Sequence, residues 1–342
     1  MSQKITLSID VMGGDFGAKV TIPAVLDVLS AESHLHVILV GDEPTIREHL
    51  GESAEQFKDR LRIVHTSQTV EMDELPSKAL RGKKDSSMRV AIDLVKSEDA
   101  QACISAGNTG ALMATARFVL KTLPGIDRPA IISEMPSIEG ETFVLDLGAN
   151  IGCTAEHLFQ FAVMGSELVT AMRDIEAPRV GLLNIGEEEM KGIEEVKKAS
   201  ALLAASNLNY IGYVEGDNIC KGGADLIVTD GFAGNIALKS IEGAARLIAH
   251  TLRQTFVGSL YAKLCMLFAL PVLKKVKKHV DPGNYNGASF LGLRGIVIKS
   301  HGSADRKSYA NAVRIGMHEA AIDIPNRILR RVETTLSNRE VD

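Results

Sequence analysis

The sequence predicts an α/β fold in which a parallel sheet lies between two layers of helices. Short apolar runs alternate with helical patterns along the whole 342-residue chain, which is the order that βαβ units produce. Most of these runs carry Val, Ile and Leu at consecutive positions, as strands buried on both faces do. The hydrophobic fraction of 45% is large enough for an extensive core. Together these observations favour a Rossmann-like, three-layer αβα sandwich.

Ten apolar runs are predicted as strands, because each is short and bounded by turn residues. They are Ile5–Asp10, Leu35–Val40, Leu61–Val64, Ala102–Ser105, Ala130–Glu134, Thr142–Asp146, Val180–Asn184, Tyr210–Val214, Asp225–Thr229 and Gly295–Lys299. Apolar residues at helical spacing between them predict helices that include Ser87–Lys96, Gly110–Leu120, Ala155–Met172, Gly192–Ala205 and Asn235–His250. The sequence shows no internal repeat and no Pro/Ser-rich linker, so we predict a single domain over residues 1–342.

Residues 236–285 are predicted as a helical insertion within this domain. An apolar stripe recurs there at every fourth position, in Leu252, Phe256, Leu260, Leu264 and Phe268. This spacing predicts a pair of helices that projects from the α/β body, the second of them ending near Pro271. A basic run follows the stripe and contains Lys274, Lys275, Lys277 and Lys278. The apolar stripe is equally typical of a core, a dimer interface or a membrane contact. The basic run is also typical of a solvated helix end.

The composition argues against several classes of function. Aromatic residues make up only 4% of the chain and the formal net charge is −5, so nucleic-acid binding is not indicated. The four cysteines contain no CxxC pair and the nine histidines no HExxH motif, so we predict no metal, no cofactor and no disulfide framework. The start of the chain lacks the features of a signal peptide, and the apolar stretch over residues 264–273 is about half as long as a membrane span. We therefore expect a cytoplasmic protein.

Glycines and polar residues follow six of the predicted strands. The six segments are Gly13-Gly14-Asp15, Gly107-Asn108-Thr109-Gly110, Gly148-Ala149-Asn150, Gly186-Glu187-Glu188, Asp230 to Asn235, and Ser300-His301-Gly302-Ser303. Because the carboxyl ends of parallel strands meet at one rim of a sheet, we expect these loops to form a single site. Backbone N–H groups in glycine turns and at helix N-termini bind anions. The loops therefore predict a ligand of the phosphate type.

Several familiar active-site motifs are absent. No GxGxxG opens a helix after the first strand, and neither GxxxxGK[ST] nor GxSxG occurs. The acidic run Glu187-Glu188-Glu189 has the composition of a general-base cluster, although such runs are also common at helix starts. These absences argue against the usual NAD-binding, P-loop and serine-hydrolase sites.

The loop sequences, taken in order, carry a resemblance to a known family. They are Asp10-Val11-Met12-Gly13-Gly14-Asp15, Ser105 to Ala111, Arg128-Pro129-Ala130, Asp146 to Asn150, Asn184 to Glu188, Asp230 to Asn235, Asn286-Gly287-Ala288, Leu291-Gly292-Leu293 and His301-Gly302-Ser303. In this order, over roughly residues 5–325, the chain resembles the PlsX-type phosphate acyltransferases, the acyl-(acyl-carrier-protein):phosphate acyltransferases of bacterial phospholipid synthesis. Ala18 stands where the family pattern has proline, a departure that concerns the turn rather than the chemistry.

The resemblance implies an activity, a fold and partners. The activity is the reversible transfer of a long-chain fatty acyl group from acyl carrier protein to inorganic phosphate, which gives an acyl phosphate. The fold implied is that of isocitrate and isopropylmalate dehydrogenases. A homodimer, peripherally associated with the inner face of the cell membrane, is also implied. Phosphate would then be the nucleophile, and no covalent enzyme intermediate would form.

On this basis we assign candidate roles to the loop residues. Phosphate binding is assigned to Gly13, Gly14, Gly107, Asn108, Thr109, Gly231, Gly234 and Asn235. Catalytic orientation of the reacting groups is assigned to Asn108, Asn150, Asn184 and His301, and a loop-orienting role to Asp15 and Asp230. For the acidic carrier protein we assign Lys274, Lys275, Lys277, Lys278 and Arg294, and for membrane contact Leu260, Leu264 and Phe268.

Three alternatives stay open from the sequence alone. A short-chain phosphotransacetylase and a decarboxylating dehydrogenase would use a similar fold, although no convincing nucleotide or metal site supports the dehydrogenase. A peripheral membrane scaffold that binds a regulatory anion would need no catalysis at all.

Overall fold

A computed structural model of the chain describes residues 4–280 and 282–339. Its strands form one sheet and are β1 Ile5–Asp10, β2 Leu35–Gly41, β3 Leu61–His65, β4 Ala102–Ser105, β5 Ala130–Ser137, β6 Gly140–Leu145, β7 Val180–Leu183, β8 Tyr210–Val214, β9 Leu226–Val228, β10 Ala288–Leu291 and β11 Ile296–Lys299. Its helices are α1 Ala18–Ala31, α2 Glu43–Leu50, α3 Ser53–Gln56, α4 Pro76–Gly82, α5 Ser87–Lys96, α6 Thr109–Leu120, α7 Ala155–Arg173, α8 Glu194–Ala204, α9 Asn218–Lys221, α10 Gly231–Val257, α11 Leu260–Val280, α12 Arg306–Ala321 and α13 Ile324–Arg339.

The α/β architecture with helices on both faces of a large sheet agrees with the prediction from the sequence. All ten predicted strands are present, with ends shifted by up to three residues. The additional strand β10 was not predicted, because its four residues lie between Gly287 and Gly292 and are too few to show a period. Apolar side chains of α1 and α12 cover one face of the β1–β4 half, and those of α5 and α6 cover the other. The apolar faces of α7, α8 and α13 pack on the half that contains β6, β7 and β9.

The sheet is mixed rather than parallel, which corrects the predicted topology. The strand order is β3-β2-β1-β4-β11-β10-β5-β6-β9-β7-β8. Strand β10 is antiparallel to both β11 and β5, and β5 forms an antiparallel hairpin with β6. Strands β6, β7, β8 and β9 therefore run opposite to β1, β2, β3, β4 and β11.

This reversal shows that the prediction of one rim for all six loops is wrong. The carboxyl ends of β1, β4 and β11 form one group of loop positions, and the carboxyl ends of β6, β7 and β9 form another. The period of apolar residues reports which faces of a strand are buried and not the direction in which the strand runs. The sequence pattern therefore could not separate the two groups.

The predicted pair of helices is present as α10 and α11, which pack against each other. Helix α10 begins at Gly231, directly after β9, five residues earlier than the predicted insertion. Helix α11 continues through Pro271 to Val280, so the predicted end near Pro271 is wrong. A proline removes one backbone hydrogen bond, and the Leu and Lys residues that follow are strong helix formers that allow the helix to continue.

A buried carboxyl group on α12 makes the stability of the fold depend on pH. Glu319 is 2% exposed and accepts a hydrogen bond from the hydroxyl of Ser289. Burial raises the pKa of Glu319 from 4.5 to about 7. The folded state therefore keeps a proton that the unfolded state has lost, and its stability falls as pH rises from 4.5 through 7. The difference corresponds to about 3 kcal/mol of unfolding free energy above pH 7.

We predict that Glu319→Gln removes this loss. Glutamine keeps an acceptor for Ser289 and cannot ionise. Thermal unfolding should show the variant to be more stable than the wild type at pH 8, with a smaller difference at pH 5. Glu48→Gln, at an exposed position of α2, serves as the control and should be as stable as the wild type at both pH values. Equal stabilities of Glu319→Gln and the wild type at pH 8 would contradict the argument.

Candidate active site

Three loops meet at the carboxyl ends of β1, β4 and β11. We call residues 12–15, 106–109 and 300–303 the first loop group. The backbone N–H of Asp15 donates to the carbonyl oxygen of Gly302 at 2.9 Å. Gly13 permits a close approach between two of the loops, because a Cβ there would lie 2.7 Å from the backbone nitrogen of Gly107. The structure thus brings together three of the six glycine-bearing segments.

The side chain of Asn108 holds this group to a neighbouring loop. Its Oδ1 accepts the N–H of Ala111 at 3.0 Å and so caps α6. Its Nδ2 donates to the carbonyl oxygens of Met72 and Glu74 at 2.9 and 3.0 Å. The amide is thus a positioning group for this loop. Thr109 is the first residue of α6 and is exposed.

The first loop group contains a cation, Lys299, that the sequence analysis missed. Its side chain ends β11, is 9% exposed, and donates to the carbonyl oxygens of Ala106, at 3.0 Å, and Ser300. Burial lowers the pKa of Lys299 to about 8, against the opposite effect of Asp10 and Asp15. The sequence offers little signal for this burial, because a lysine at the end of a strand is usually solvated.

The carboxyl group of Asp10 lies beneath the same loops. It is buried, and the hydroxyl of Ser105 donates to its Oδ2 at 2.6 Å. Its Oδ1 has no hydrogen-bond partner among the described residues. Burial raises the pKa of Asp10. Only a glycine fits above it, because a Cβ at Gly13 would lie 2.6 Å from Oδ2.

His301 presents a ring N–H donor at this group. The backbone N–H of Ser303 donates to Nδ1 of His301 at 3.2 Å, which leaves the proton on Nε2. Burial lowers the pKa of His301, and the nearby Lys239, Lys299 and Arg246 lower it further. The imidazole is therefore neutral at pH 7, and its Nε2–H is available as a donor.

A second set of loops follows β6, β7 and β9, and we call residues 146–150, 184–192 and 230–235 the second loop group. At its centre is the buried carboxylate of Asp146. Oδ1 accepts the backbone N–H groups of Ile131, Gly148 and Ala149 at 2.9, 3.2 and 3.1 Å. Oδ2 accepts the backbone N–H and the Nδ2 of Asn150 at 2.7 and 2.9 Å. One carboxylate thereby holds the whole turn.

Two asparagines that were assigned catalytic roles hold their own loops. Nδ2 of Asn150 also donates to the carbonyl oxygen of Pro129 at 2.8 Å. Nδ2 of Asn184 donates to the carbonyl oxygens of Gly186 and Lys191 at 3.1 and 3.2 Å. Both side chains are almost fully buried. In this structure their amides act as positioning groups.

Asp230 anchors the starts of two helices. Its Oδ1 accepts the N–H of Phe232 at 2.8 Å and caps α10. Its Oδ2 accepts the N–H of Cys153 at 2.8 Å, just before α7. The carboxylate thus holds both helix starts at the second loop group, where their N-termini favour negative charge. Among the described residues, no such bond is made by the side chain of Asp15, which is connected to the loops through its backbone.

The first turn of α10 packs directly on the backbone of the preceding loop. A Cβ at Gly231 would lie 2.3 Å from the carbonyl oxygen of Asn150, and one at Gly234 would lie 1.9 Å from that of Asp146. Glycine is the only residue that fits at either position. Asn235 is exposed on the same turn, next to Gly148.

Helix α10 begins in the second loop group. Lys239 lies eight residues after Gly231, which is about 12 Å along the helix axis. Its ammonium lowers the pKa of both Lys299 and His301, and Glu242, three residues further along the helix, raises that of His301. The charges carried by α10 therefore act on the first loop group.

The residues assigned to partners lie apart from these loops. Phe268 and Lys275 are both exposed on α11. Arg294 does not lie with them: it precedes β11 at its amino end, where its Nε donates to the carbonyl oxygen of Thr122 at 3.0 Å. Five of the assigned side chains lie outside the described part of the structure: Leu260, Leu264, Lys274, Lys277 and Lys278.

The described residues contain neither a cluster of metal ligands nor a helix that could span a membrane. Across residues 4–280 and 282–339, no three His, Cys, Asp or Glu side chains lie close enough together to hold a metal ion. Within the same ranges, every helix falls short of the length and apolar character that a membrane span requires.

We predict that Gly234→Ala disturbs the site while Gly243→Ala does not. The new methyl group at position 234 would overlap the backbone of Asp146, and we expect a loss of about 3 kcal/mol of stability. Position 243 lies in the same helix with open space around it, so alanine there should add about 1 kcal/mol. Denaturant unfolding of the two variants provides the measurement, and similar effects of both would disprove the packing argument.

Proteins of known family and structure are similar to this chain over nearly its whole length. The family model described as "Fatty acid synthesis protein" matches residues 5–327. The chain is 60% identical to the phosphate acyltransferase of Methylococcus capsulatus over 98% of this chain and 99% of the relative, and 54% identical to that of Halorhodospira halophila over 99% of both.

Two solved structures share the fold. A phosphotransacetylase from Streptococcus pyogenes superposes with a TM-score of 0.60 at 18% identity, over 92% of this chain and 94% of the other. A branched-chain phosphotransacylase from Enterococcus faecalis gives 0.59 at 16% identity, over 92% and 99%. At these identities the structures support the fold alone, whereas the family model and the curated relatives match nearly the whole chain. The chain belongs to the fatty acid synthesis protein family of phosphate acyltransferases.

Proposed function

We propose that the enzyme transfers a long-chain acyl group from the thioester of acyl carrier protein to inorganic phosphate. The product is an acyl phosphate, a precursor for phosphatidic acid. Identity of 60% over nearly the full length to a phosphate acyltransferase is the observation that carries this proposal. The backbone donors of the two loop groups support it, because they provide what an anionic substrate needs.

The reaction mainly requires that phosphate and the thioester be held in the correct orientation. A phosphate oxygen attacks the thioester carbonyl carbon, the C–S bond breaks, and the thiolate leaves with the electron pair. A thiol pKa near 8.5 makes this leaving group adequate without a strong acid. Alignment of the two reactants can supply about 7–11 kcal/mol, and one donor to the oxyanion about 3 kcal/mol. We assign the Nε2–H of His301 to the carbonyl oxygen.

The thiol near the loops has the properties of a structural group rather than of a nucleophile. Burial raises the pKa of Cys153 to about 12, and the charge of Asp230 contributes. Burial also raises the pKa of Cys103, which lies within the sheet. Thiols with raised pKa values stay protonated and react slowly. This supports direct attack by phosphate without an acyl-enzyme intermediate.

The residues assigned to phosphate lie in both loop groups and are Gly13, Gly14, Gly107, Asn108, Thr109, Gly231, Gly234 and Asn235. Two of their backbone N–H groups already have partners, because Gly107 donates to the Oγ of Ser105 at 3.0 Å and Gly234 to the carbonyl oxygen of Asp230 at 2.9 Å. We therefore assign these two glycines to the shape of the loops. Because Asn108, Asn150 and Asn184 hold loop carbonyls, we assign them the positioning of these donors and not contact with the reacting atoms. Asp230 orients the second loop group in the same sense.

We assign the binding of the carrier protein and of the membrane to the helical insertion. The basic run Lys274, Lys275, Lys277 and Lys278 suits the acidic carrier, and the apolar Leu260, Leu264 and Phe268 suit a membrane surface. Arg294 lies at the opposite end of β11 from Lys299, so in our proposal it would contact the carrier separately from this run. A homodimer at the inner face of the cell membrane completes the proposal.

We predict phosphate-dependent release of thiol over many turnovers. A thiol-detecting assay with palmitoyl carrier protein as donor should show release only when inorganic phosphate is added. Acetyl coenzyme A in place of the carrier donor should react poorly, and a strong preference for it would favour the short-chain phosphotransacetylase. Absence of turnover with every donor, together with binding of phosphate, would favour the non-catalytic scaffold.

We predict that Phe268→Glu weakens binding to anionic vesicles while turnover in solution persists. The side chain is 77% exposed on α11, so the fold should tolerate the charge. Flotation with vesicles containing phosphatidylglycerol provides the measurement. Ile138→Glu, an equally exposed apolar position on the β5–β6 hairpin, is the control and should float like the wild type. Undiminished flotation of Phe268→Glu would remove this residue from the membrane contact.

A further inference from the structure

The segment Asn286-Gly287-Ala288 lies directly opposite His301. Strand β10 is antiparallel to β11, and Ala288 is paired with Lys299. Continued by two residues, the same register places Asn286 across from His301. The segment thus borders the first loop group, although it lies outside the three loops that form this group.

The side-chain amide of Asn286 binds the backbone of His301. Its Oδ1 accepts the N–H of His301 at 2.8 Å. Its Nδ2 donates to the hydroxyl of Ser300 and to the carbonyl oxygen of Ser308, both at 2.8 Å. The opposite orientation of the amide would set Nδ2 against the N–H of His301 and Oδ1 against the carbonyl of Ser308, so these bonds select one orientation. One side chain therefore joins the first loop group to α12.

Asn286 is itself held by α12. The Nδ2 of Asn311 donates to the carbonyl oxygens of Asn284 and Asn286 at 2.8 and 3.1 Å. Gly287 allows close packing on the same helix, since its φ is +126° and a Cβ there would lie 2.9 Å from the Cα of Ala312. The helix thus fixes the position of the Asn286 amide.

The imidazole of His301 is held by the residues that follow it. Its Nδ1 accepts the backbone N–H of Ser303 at 3.2 Å and lies 2.9 Å from the hydroxyl oxygen of the same residue. The N–H of Asp15 donates to the carbonyl oxygen of Gly302 at 2.9 Å. The backbone after His301 is therefore bonded to another loop, and Asn286 supplies the bond at His301 itself.

We propose that Asn286 is a positioning residue for the reaction, because it fixes the backbone from which the imidazole of His301 projects. This inference rests on the proposed function and deepens it by naming the group through which His301 is held as a donor to the oxyanion. Such a donor contributes most when its position is set before the reaction, since no reorganisation then opposes the step. Asn286 acts through His301 and not by contact with the reacting atoms.

We predict that Asn286→Ala lowers kcat at least tenfold. KM for inorganic phosphate and for palmitoyl carrier protein should each change less than twofold, because the bonds of the Asn286 side chain go to Ser300, His301 and Ser308 and not to residues assigned to phosphate. Steady-state kinetics provide the measurement. Asn326→Ala, at an exposed position of α13, is the control and should turn over like the wild type.

A double-mutant cycle separates positioning from a merely structural role. His301→Ala removes the donor, and in that background Asn286→Ala should lower kcat by less than twofold. A tenfold loss that persists without the imidazole would overturn the inference, because Asn286 would then act through another part of the site. An unchanged kcat of Asn286→Ala in the presence of His301 would overturn it as well.

A conservative variant keeps the test decisive if Asn286→Ala does not fold. Asn286→Asp retains Oδ1 as the acceptor for His301 and loses both bonds that Nδ2 donates. It should lower kcat at least threefold in the presence of His301 and less than twofold in its absence. Losses of equal size in the two backgrounds, or no loss in either, would contradict the inference.

The outcomes also distinguish this inference from the proposed function. If the wild type shows no phosphate-dependent turnover, the proposed function fails, and ¹⁵N NMR of the His301 ring in the same protein still tests the inference. The wild-type ring should be a single Nε2–H tautomer, and Asn286→Ala should give a mixture of tautomers as the bond to Ser303 loosens. The same ratio of tautomers in both proteins would then contradict the role of Asn286.

Discussion

The carboxylate of Asp146 is the interaction on which the geometry of the site depends. It is buried, and five N–H hydrogen bonds satisfy its two oxygens. Loss of such a carboxylate would leave several buried donors without partners, each at a cost of about 1–3 kcal/mol. These bonds fix the turn whose backbone Gly234 contacts, and that contact sets the position of α10. The placement of Lys239 follows from the same carboxylate.

The loops of the proposed site come from two halves of a sheet whose strands run in opposite directions. Each half supplies glycine turns, and α10 begins in the second loop group and carries Lys239, whose charge acts on Lys299 in the first. The antiparallel hairpin of β5 and β6 is the element that makes this arrangement possible, because it reverses the chain between the halves. Side-chain amides hold these loops through backbone carbonyl oxygens.

Much of this was readable in the amino-acid sequence, and the exceptions have physical reasons. Strands β1 and β4 have the predicted bounds because their residues are apolar on both faces and turn residues follow directly. The direction of β6 was not readable, since its apolar pattern is the same in a parallel or an antiparallel pair. Lys299 was missed because a single lysine at the end of a strand is usually solvated, and only tertiary packing reveals its burial.

The length of α10 separates the proposed site from the tip of the helical insertion. From Asn235, which we assign to the phosphate site, to the end of the helix at Val257 there are twenty-two residues, or about 33 Å of axis. In our proposal, a bilayer or protein that touches the tip of the helical insertion is kept about that far from the reacting phosphate. The acyl phosphate must then cross this interval before it reaches such a surface. Three apolar side chains are exposed along this part of α10: Leu247, Ile248 and Leu252. They provide an apolar surface that the acyl chain can contact on the way.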